Sequence, residues 1–185
     1  VINDFLVGYI EGAQFIDKDI KVEVSYVGSF TDTAKAKELT LAQYSNGADV
    51  VFTSAGPASA GSVEAARDSK KYVIGVDSDQ ALAYEGKEEQ KYIISSALKR
   101  VDNSLALTMD SFLNDSLEFN SHSVLGIKED AIGLAENDIY TSIVKEEIRN
   151  KVAETAKQLK DDKVTVNSAL GMEEAKLKEI INSAK

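Results

Sequence analysis

The sequence predicts an α/β fold, a parallel sheet with flanking helices. Three observations carry this. Short runs rich in Val, Ile and Tyr at residues 21–27, 48–53 and 71–76 have the composition of strands. Segments with helical periodicity separate them. Their spacing, a little over twenty residues, is that of βαβ units, whose right-handed crossovers build a parallel sheet.

The first twelve residues read as a helix, with Phe5, Gly8, Tyr9 and Gly12 at three- and four-residue spacing and close packing through the glycines. Val1 is not an initiator methionine and no signal-type segment follows it, so the expectation is a fragment whose N-terminal part is missing. Residues 21–27 alternate polar and apolar types as a strand does, and Gly28-Ser-Phe-Thr-Asp32 ends it. Thr31 or Asp32 then caps a helix to about Tyr44, stopped by Asn46-Gly47. Residues 48–53 are an apolar run of the kind found in strands buried on both faces. A small-residue loop, 54–61, leads into a helix over about 62–68. The next buried strand is 71–76, and Asp77-Ser-Asp-Gln80 leaves its end.

Beyond it, residues 91–98 make a fourth strand, followed by a helix at about 101–113 with Leu105, Met109 and Phe112 on one face. Residues 123–127, 131–134 and 164–166 are short strand-like pieces. Residues 140–159 read as one long amphipathic helix, and 172–184 as a final charged one.

Composition excludes several classes. The chain has 185 residues, 43% hydrophobic, which is too apolar for intrinsic disorder. Its net charge of −10, from 21 basic and 31 acidic residues, argues against a nucleic-acid partner. No apolar run approaches the roughly 20 residues that cross a bilayer. Without cysteine there is no disulfide, thiolate metal site or cysteine nucleophile in this sequence. A lone histidine, His122, offers no imidazole pair for a metal or a triad, and it is assigned no role.

Ligands of open α/β sheets bind beyond the carboxyl ends of the strands. Phe30 lies at the first such end, either as a flat face for a planar ligand or as a core residue beneath a loop. Gly56 opens the small-residue loop, where a missing Cβ lets backbone approach a ligand or merely makes a turn. Asp77 and Asp79 follow the third strand, where a carboxylate can grip a hydroxyl pair or a cation. One of the two can instead cap the turn toward Gln80. Lys99 follows the fourth strand and can bond a ligand oxygen, pair with Asp77, or stay solvated.

Several blocks, taken in order, resemble a known family. They are Tyr26-Val-Gly-Ser-Phe-Thr-Asp32, Ala42-Gln-Tyr-Ser-Asn-Gly-Ala-Asp-Val-Val51, Ala55-Gly56 with Gly61, Tyr72-Val-Ile-Gly-Val-Asp-Ser-Asp-Gln80 and Ser95-Ser-Ala-Leu-Lys-Arg-Val-Asp102. The resemblance is to the BMP (basic membrane protein) type of substrate-binding lipoproteins of ABC transporters, from Val1 to about Asn137 and more loosely beyond. It implies a type I periplasmic-binding-protein-like fold of two lobes enclosing a purine nucleoside. It also implies an ABC permease as partner and an extracytoplasmic location. Membrane attachment would be only through an N-terminal lipid anchor outside this sequence. No cofactor, metal or catalysis is implied.

By the same resemblance, residues 1–78 form a second-lobe core, 79–122 a strand and helix crossing to the first lobe, and 123–185 the return to the second. Apart from the first lobe, Ile93, Leu105, Met109 and Phe112 should stand exposed. Four roles carry over. Phe30 stacks on the base, the Gly56 backbone contacts the ribose, Asp77 grips the ribose hydroxyls, and Lys99 also reaches the ribose. Pro57 and Ser59 stand where related sequences usually carry glycine, and Pro57 removes a backbone donor. Two other readings stay open: a Mg²⁺-dependent phosphoryl or glycosyl transferase built on Asp77-Ser78-Asp79, and the sensor domain of a regulator.

Overall fold

A computed structural model describes residues 2–185. The chain divides into two compact units: unit 1 runs to Val73 and resumes over Thr165–Lys185, and unit 2 is Ile74–Val164.

Unit 1 opens with α1 (Ile2–Ile16). Its Leu6, Tyr9, Ile10 and Ala13 pack against Val22, Val24 and the final helix α8 (Glu174–Ser183), with Ile10 and Ala184 fully buried. The expected close packing through glycines is absent. A Cβ on Gly8 would only reach Val166 at 4.0 Å, and one on Gly12 would meet nothing. Residues 21–27 form no strand either. Their backbone groups are taken elsewhere: the Val22 N–H donates to the Ala184 carbonyl (2.6 Å), and the Glu23 carbonyl accepts from the Gln43 amide. Residues bonded in this way do not add to a ladder.

Helix α2 (Thr33–Ser45) begins where the sequence places it, with the Asp32 carboxylate accepting from the Lys35 N–H. It ends at Asn46 before Gly47, whose φ of +107° few other residues adopt. Strand β1 (Val50–Phe52) follows, then a 3₁₀ turn (Gly56–Ala58) running into α3 (Ser59–Ser69). Helices α2 and α3 approach closely at Gly61, where a Cβ would lie 1.9 Å from the Thr33 carbonyl oxygen. The buried Thr40 and Ser62 hydroxyls bond across the same contact at 2.8 Å. The start of β2 (Tyr72–Asp77) lies beside β1, its Tyr72 N–H donating to the Asp49 carbonyl.

Unit 2 carries the rest of β2, then α4 (Gln80–Ala83), a 3₁₀ segment (Glu88–Tyr92), β3 (Ile93–Lys99) and α5 (Val101–Leu113). Strand β4 (Ile132–Leu134) pairs antiparallel with β3, in the register Ala97↔Leu134 and Lys99↔Ile132. Sheet order in this unit is β2-β3-β4. Ile93, the first residue of β3, is fully buried, against the expectation of exposure. Leu105, Met109 and Phe112 are exposed as expected, and no residue of α5 is buried.

The single helix expected over 140–159 is two, α6 (Asp138–Ile143) and α7 (Glu146–Lys160). Val144 and Lys145 are extended at the break, and the Arg149 guanidinium donates to the Thr141 and Val144 carbonyls that α6 leaves open. Residues 123–127 and 164–166 form no strand. Among the described residues no helix is long and apolar enough to cross a membrane.

The Gly61 contact makes a stability prediction. Gly61→Ala should destabilise the protein by about 2–3 kcal/mol, because backbone on both sides must move to admit a methyl. Chemical denaturation measures it, and a loss under about 0.5 kcal/mol, the range of a surface substitution, would contradict the close crossing.

Candidate functional site

The four candidate residues fall into two pairs, one in each unit. In unit 1, Phe30 follows Gly28, whose φ is +76°. The residue is 58% exposed, so Phe30 is not a core residue. Its carbonyl accepts from the Ala58 N–H at 2.8 Å, tying the residue to the 3₁₀ turn. Gly56 opens that turn with φ +55°, and a Cβ there would lie 3.3 Å from Phe30 Cδ1. The backbone angle favours glycine, and a Cβ would also press against the ring beside it. Pro57 is the second residue of the turn, still at a helix start where an N–H has no partner within the helix and its loss is tolerated. Ser59 fixes the loop from below, its Oγ accepting from Thr53 Oγ1 (3.0 Å) and the Ala55 N–H (3.3 Å).

In unit 2, Asp77 ends β2 and Lys99 ends the neighbouring β3. Lys99 Nζ stands 2.9 Å from Asp77 Oδ1, with the side chains 44% and 53% exposed respectively. An ion pair so exposed contributes little to stability. Asp77 also has φ +72°, and the following Ser78 N–H donates back to the Val76 carbonyl at 3.0 Å. A bond across three residues around a positive φ is the rare, strained form of γ-turn. The two observations together describe a carboxylate held out at a strand end by a backbone that resists the position.

Asp79 does something different. Its Oδ1 accepts from the Ala81 N–H at 3.1 Å, capping α4, and both its oxygens accept from the Asn137 amide at 3.0 and 2.9 Å. Of the two roles open to the Asp-x-Asp pair, Asp79 takes the cap. Among the described residues no group of three or more His, Asp or Glu stands where it could hold a metal ion. His122 is exposed in an irregular stretch.

The arrangement suits binding: an exposed ring beside a glycine, and a carboxylate with an ammonium at neighbouring strand ends. The profile of a family described as ABC transporter substrate-binding protein PnrA-like, Bmp, matches residues 1–168. The chain belongs to the Bmp family. Its members are substrate-binding proteins, not enzymes. A similar curated protein is the ABC transporter nucleoside-binding protein BmpA of Lactococcus lactis, 32% identical over 91% of this chain and 50% of its own length. Among solved structures, an ABC transporter solute-binding protein from Aeropyrum pernix superposes with a TM-score of 0.76 at 18% identity, over 99% of this chain and 58% of its own. A transcriptional activator of the comK gene from Bacillus halodurans gives 0.71 at 25% identity, over 83% and 50%. These likenesses show a periplasmic-binding-protein-like α/β fold. The Bmp chain spans about half or less of the length of the curated relatives it matches.

Strain at Asp77 can be measured directly. Asp77→Gly relieves the positive φ and should raise stability by about 0.5–1 kcal/mol, the left-handed penalty less the entropy glycine adds to the unfolded chain. Thermal or chemical unfolding reads it, and a clear loss of stability would mean that the carboxylate, not the ligand, is what the turn is built around.

Proposed function

We propose that the protein containing this chain is the extracytoplasmic binding component of an ABC importer, and that its ligand is a purine nucleoside. The observation that carries the ligand class is the Asp77–Lys99 pair. An acceptor and a donor 2.9 Å apart at strand ends suit vicinal ribose hydroxyls, which both donate and accept. Phe30 supplies a flat apolar face for the base, and the Gly56 backbone contacts the ribose. The name of the Lactococcus lactis relative supports a nucleoside over other solutes. The ABC permease is the partner, and a lipid anchor N-terminal to this sequence holds the protein at the membrane. Binding requires neither metal nor cofactor.

The exposed apolar face of α5 supports a lobe assignment. Residues 79–122 contribute a strand and helix to the first lobe, while 1–78 and 123–185 belong to the second. Leu105, Met109 and Phe112 of α5 then meet partners in the longer protein. A sensor domain of a regulator is a second reading, favoured only by the likeness to the transcriptional activator from Bacillus halodurans. The residues encoded upstream separate the two, a lipidation cysteine fitting transport and a DNA-binding helix pair fitting regulation.

Three outcomes follow for the full-length protein. Phe30→Ala should weaken nucleoside binding by about 1–3 kcal/mol with little change in melting temperature, while Phe30→Tyr keeps most of the affinity. Asp77→Ala should cost about 2–4 kcal/mol of binding, and unchanged affinity removes Asp77 from the site. If α5 packs in the longer protein, Leu105→Ser with Phe112→Ser should cost about 3 kcal/mol or more of stability, against under about 1 kcal/mol for two surface positions.

A further inference from the structure

We propose that Asp79 and Asn137 are positioning residues, a hydrogen-bonded clamp that holds Asp77 in its ligand-binding conformation. The proposal rests on the reading of Asp77 as a ribose contact. Asp77 has φ +72° in a residue type that rarely adopts it. Such a conformation persists only where the surroundings over-determine it. The chain on its N-terminal side is fixed. The Val76 carbonyl accepts from both the Ser78 N–H (3.0 Å) and the Gln80 side-chain amide (3.1 Å). Gly75 is closely packed, since a Cβ there would sit 2.7 Å from Ser96 Oγ.

On the C-terminal side the Gln80 N–H donates to Ser96 Oγ at 3.1 Å. Asp79 then has to be held against β3 and the region before α6, and its carboxylate is. Asn137 Nδ2 donates to both of its oxygens, while Asn137 Oδ1 accepts from the Ile139 and Tyr140 N–H groups at 3.0 Å. One asparagine thus caps α6 and grips the cap of α4. Amide donation to a carboxylate is charge-assisted and strong for its kind. The rotation that would relax Asp77 would swing Asp79 away from Asn137, so the clamp opposes it. Asp79 and Asn137 touch no ligand in this scheme; they act through Asp77.

The pair has a polarity that can be exchanged. In D79N the amide cannot both cap Ala81 and accept from Asn137 without turning an N–H₂ toward an N–H. In N137D two carboxylates face each other. In the swap D79N/N137D, the amide oxygen now at position 79 still caps Ala81, and the amide nitrogen donates to the carboxylate now at position 137. That carboxylate still caps α6. Full-length protein carrying each change is titrated calorimetrically with adenosine, guanosine and inosine, and its melting temperature is recorded. Each single variant should lose about 10-fold in affinity, and the swap should recover to within about threefold of wild type. In an Asp77→Ala background D79N should change affinity by less than about twofold, because there is no positioned carboxylate left to disturb. The same loss in both backgrounds, or single variants that bind as wild type does, overturns the clamp. Amide exchange at Ser78 gives a readout without nucleoside: it should quicken about 10-fold in the singles and return in the swap. Should exchange respond while wild type binds none of the nucleosides, the ribose reading fails and the clamp stands. Should wild type bind while exchange is unmoved, the clamp fails.

Discussion

Asp77 closes β2 with a backbone angle that costs an L-residue about 1–2 kcal/mol, and it does so in a segment bonded tightly on both sides. A strand end has easier ways to finish. Here only Ser78 and Asp79 separate the strand from α4, and Asp79 is spent on capping α4 and meeting Asn137. What the strain achieves is the direction of one carboxylate, beside the ammonium of Lys99. Local strain that stability alone does not explain is a usual mark of a working position. In unit 2 the packing of Gly75 against Ser96 and the two caps joined by Asn137 can be understood as support for that one group.

Unit 1 solves a similar problem with glycine. Gly28 and Gly56 take positive φ near the stretch that presents Phe30, and Ser59 holds the loop from within. No comparable strain is stored there, since glycine has no Cβ to resist the angle. The difference is instructive. Where only backbone and an aromatic face are needed, glycine shapes the loop; where a carboxylate is needed at the bend itself, glycine is not available and the surroundings must hold an aspartate.

Much of this is legible in the sequence, for local reasons. The cap at Asp32, the stop at Asn46-Gly47 and the bounds of α5 at Val101 and Leu113 rest on side chains acting within a turn or two of themselves. The strand at 93–99 and its lysine are likewise visible as a β-branched run and its end. What is not legible depends on distant partners. Residues 21–27 alternate as a strand does, yet the Ala184 carbonyl and the Gln43 amide take their backbone groups. The break at Val144 has no Gly or Pro to announce it and is stabilised by Arg149 from the next helix. Ile93 reads as exposed only on the expectation that its strand completes a missing lobe, yet it is fully buried among the residues present. Asn137 does not stand out as part of the site at all. Its place before Asp138-Ile139-Tyr140 has the look of a helix cap, but no local pattern joins it to Asp79, 58 residues away.

The ligand class is the point on which the account turns. It is tested most directly by calorimetric titration of the full-length protein with adenosine, guanosine, inosine and uridine, with and without a chelator of divalent cations. Binding of the three purine nucleosides, weaker binding of uridine and no effect of the chelator are the predicted result. Heats indistinguishable from dilution for all four, or binding that disappears with the chelator, would contradict it.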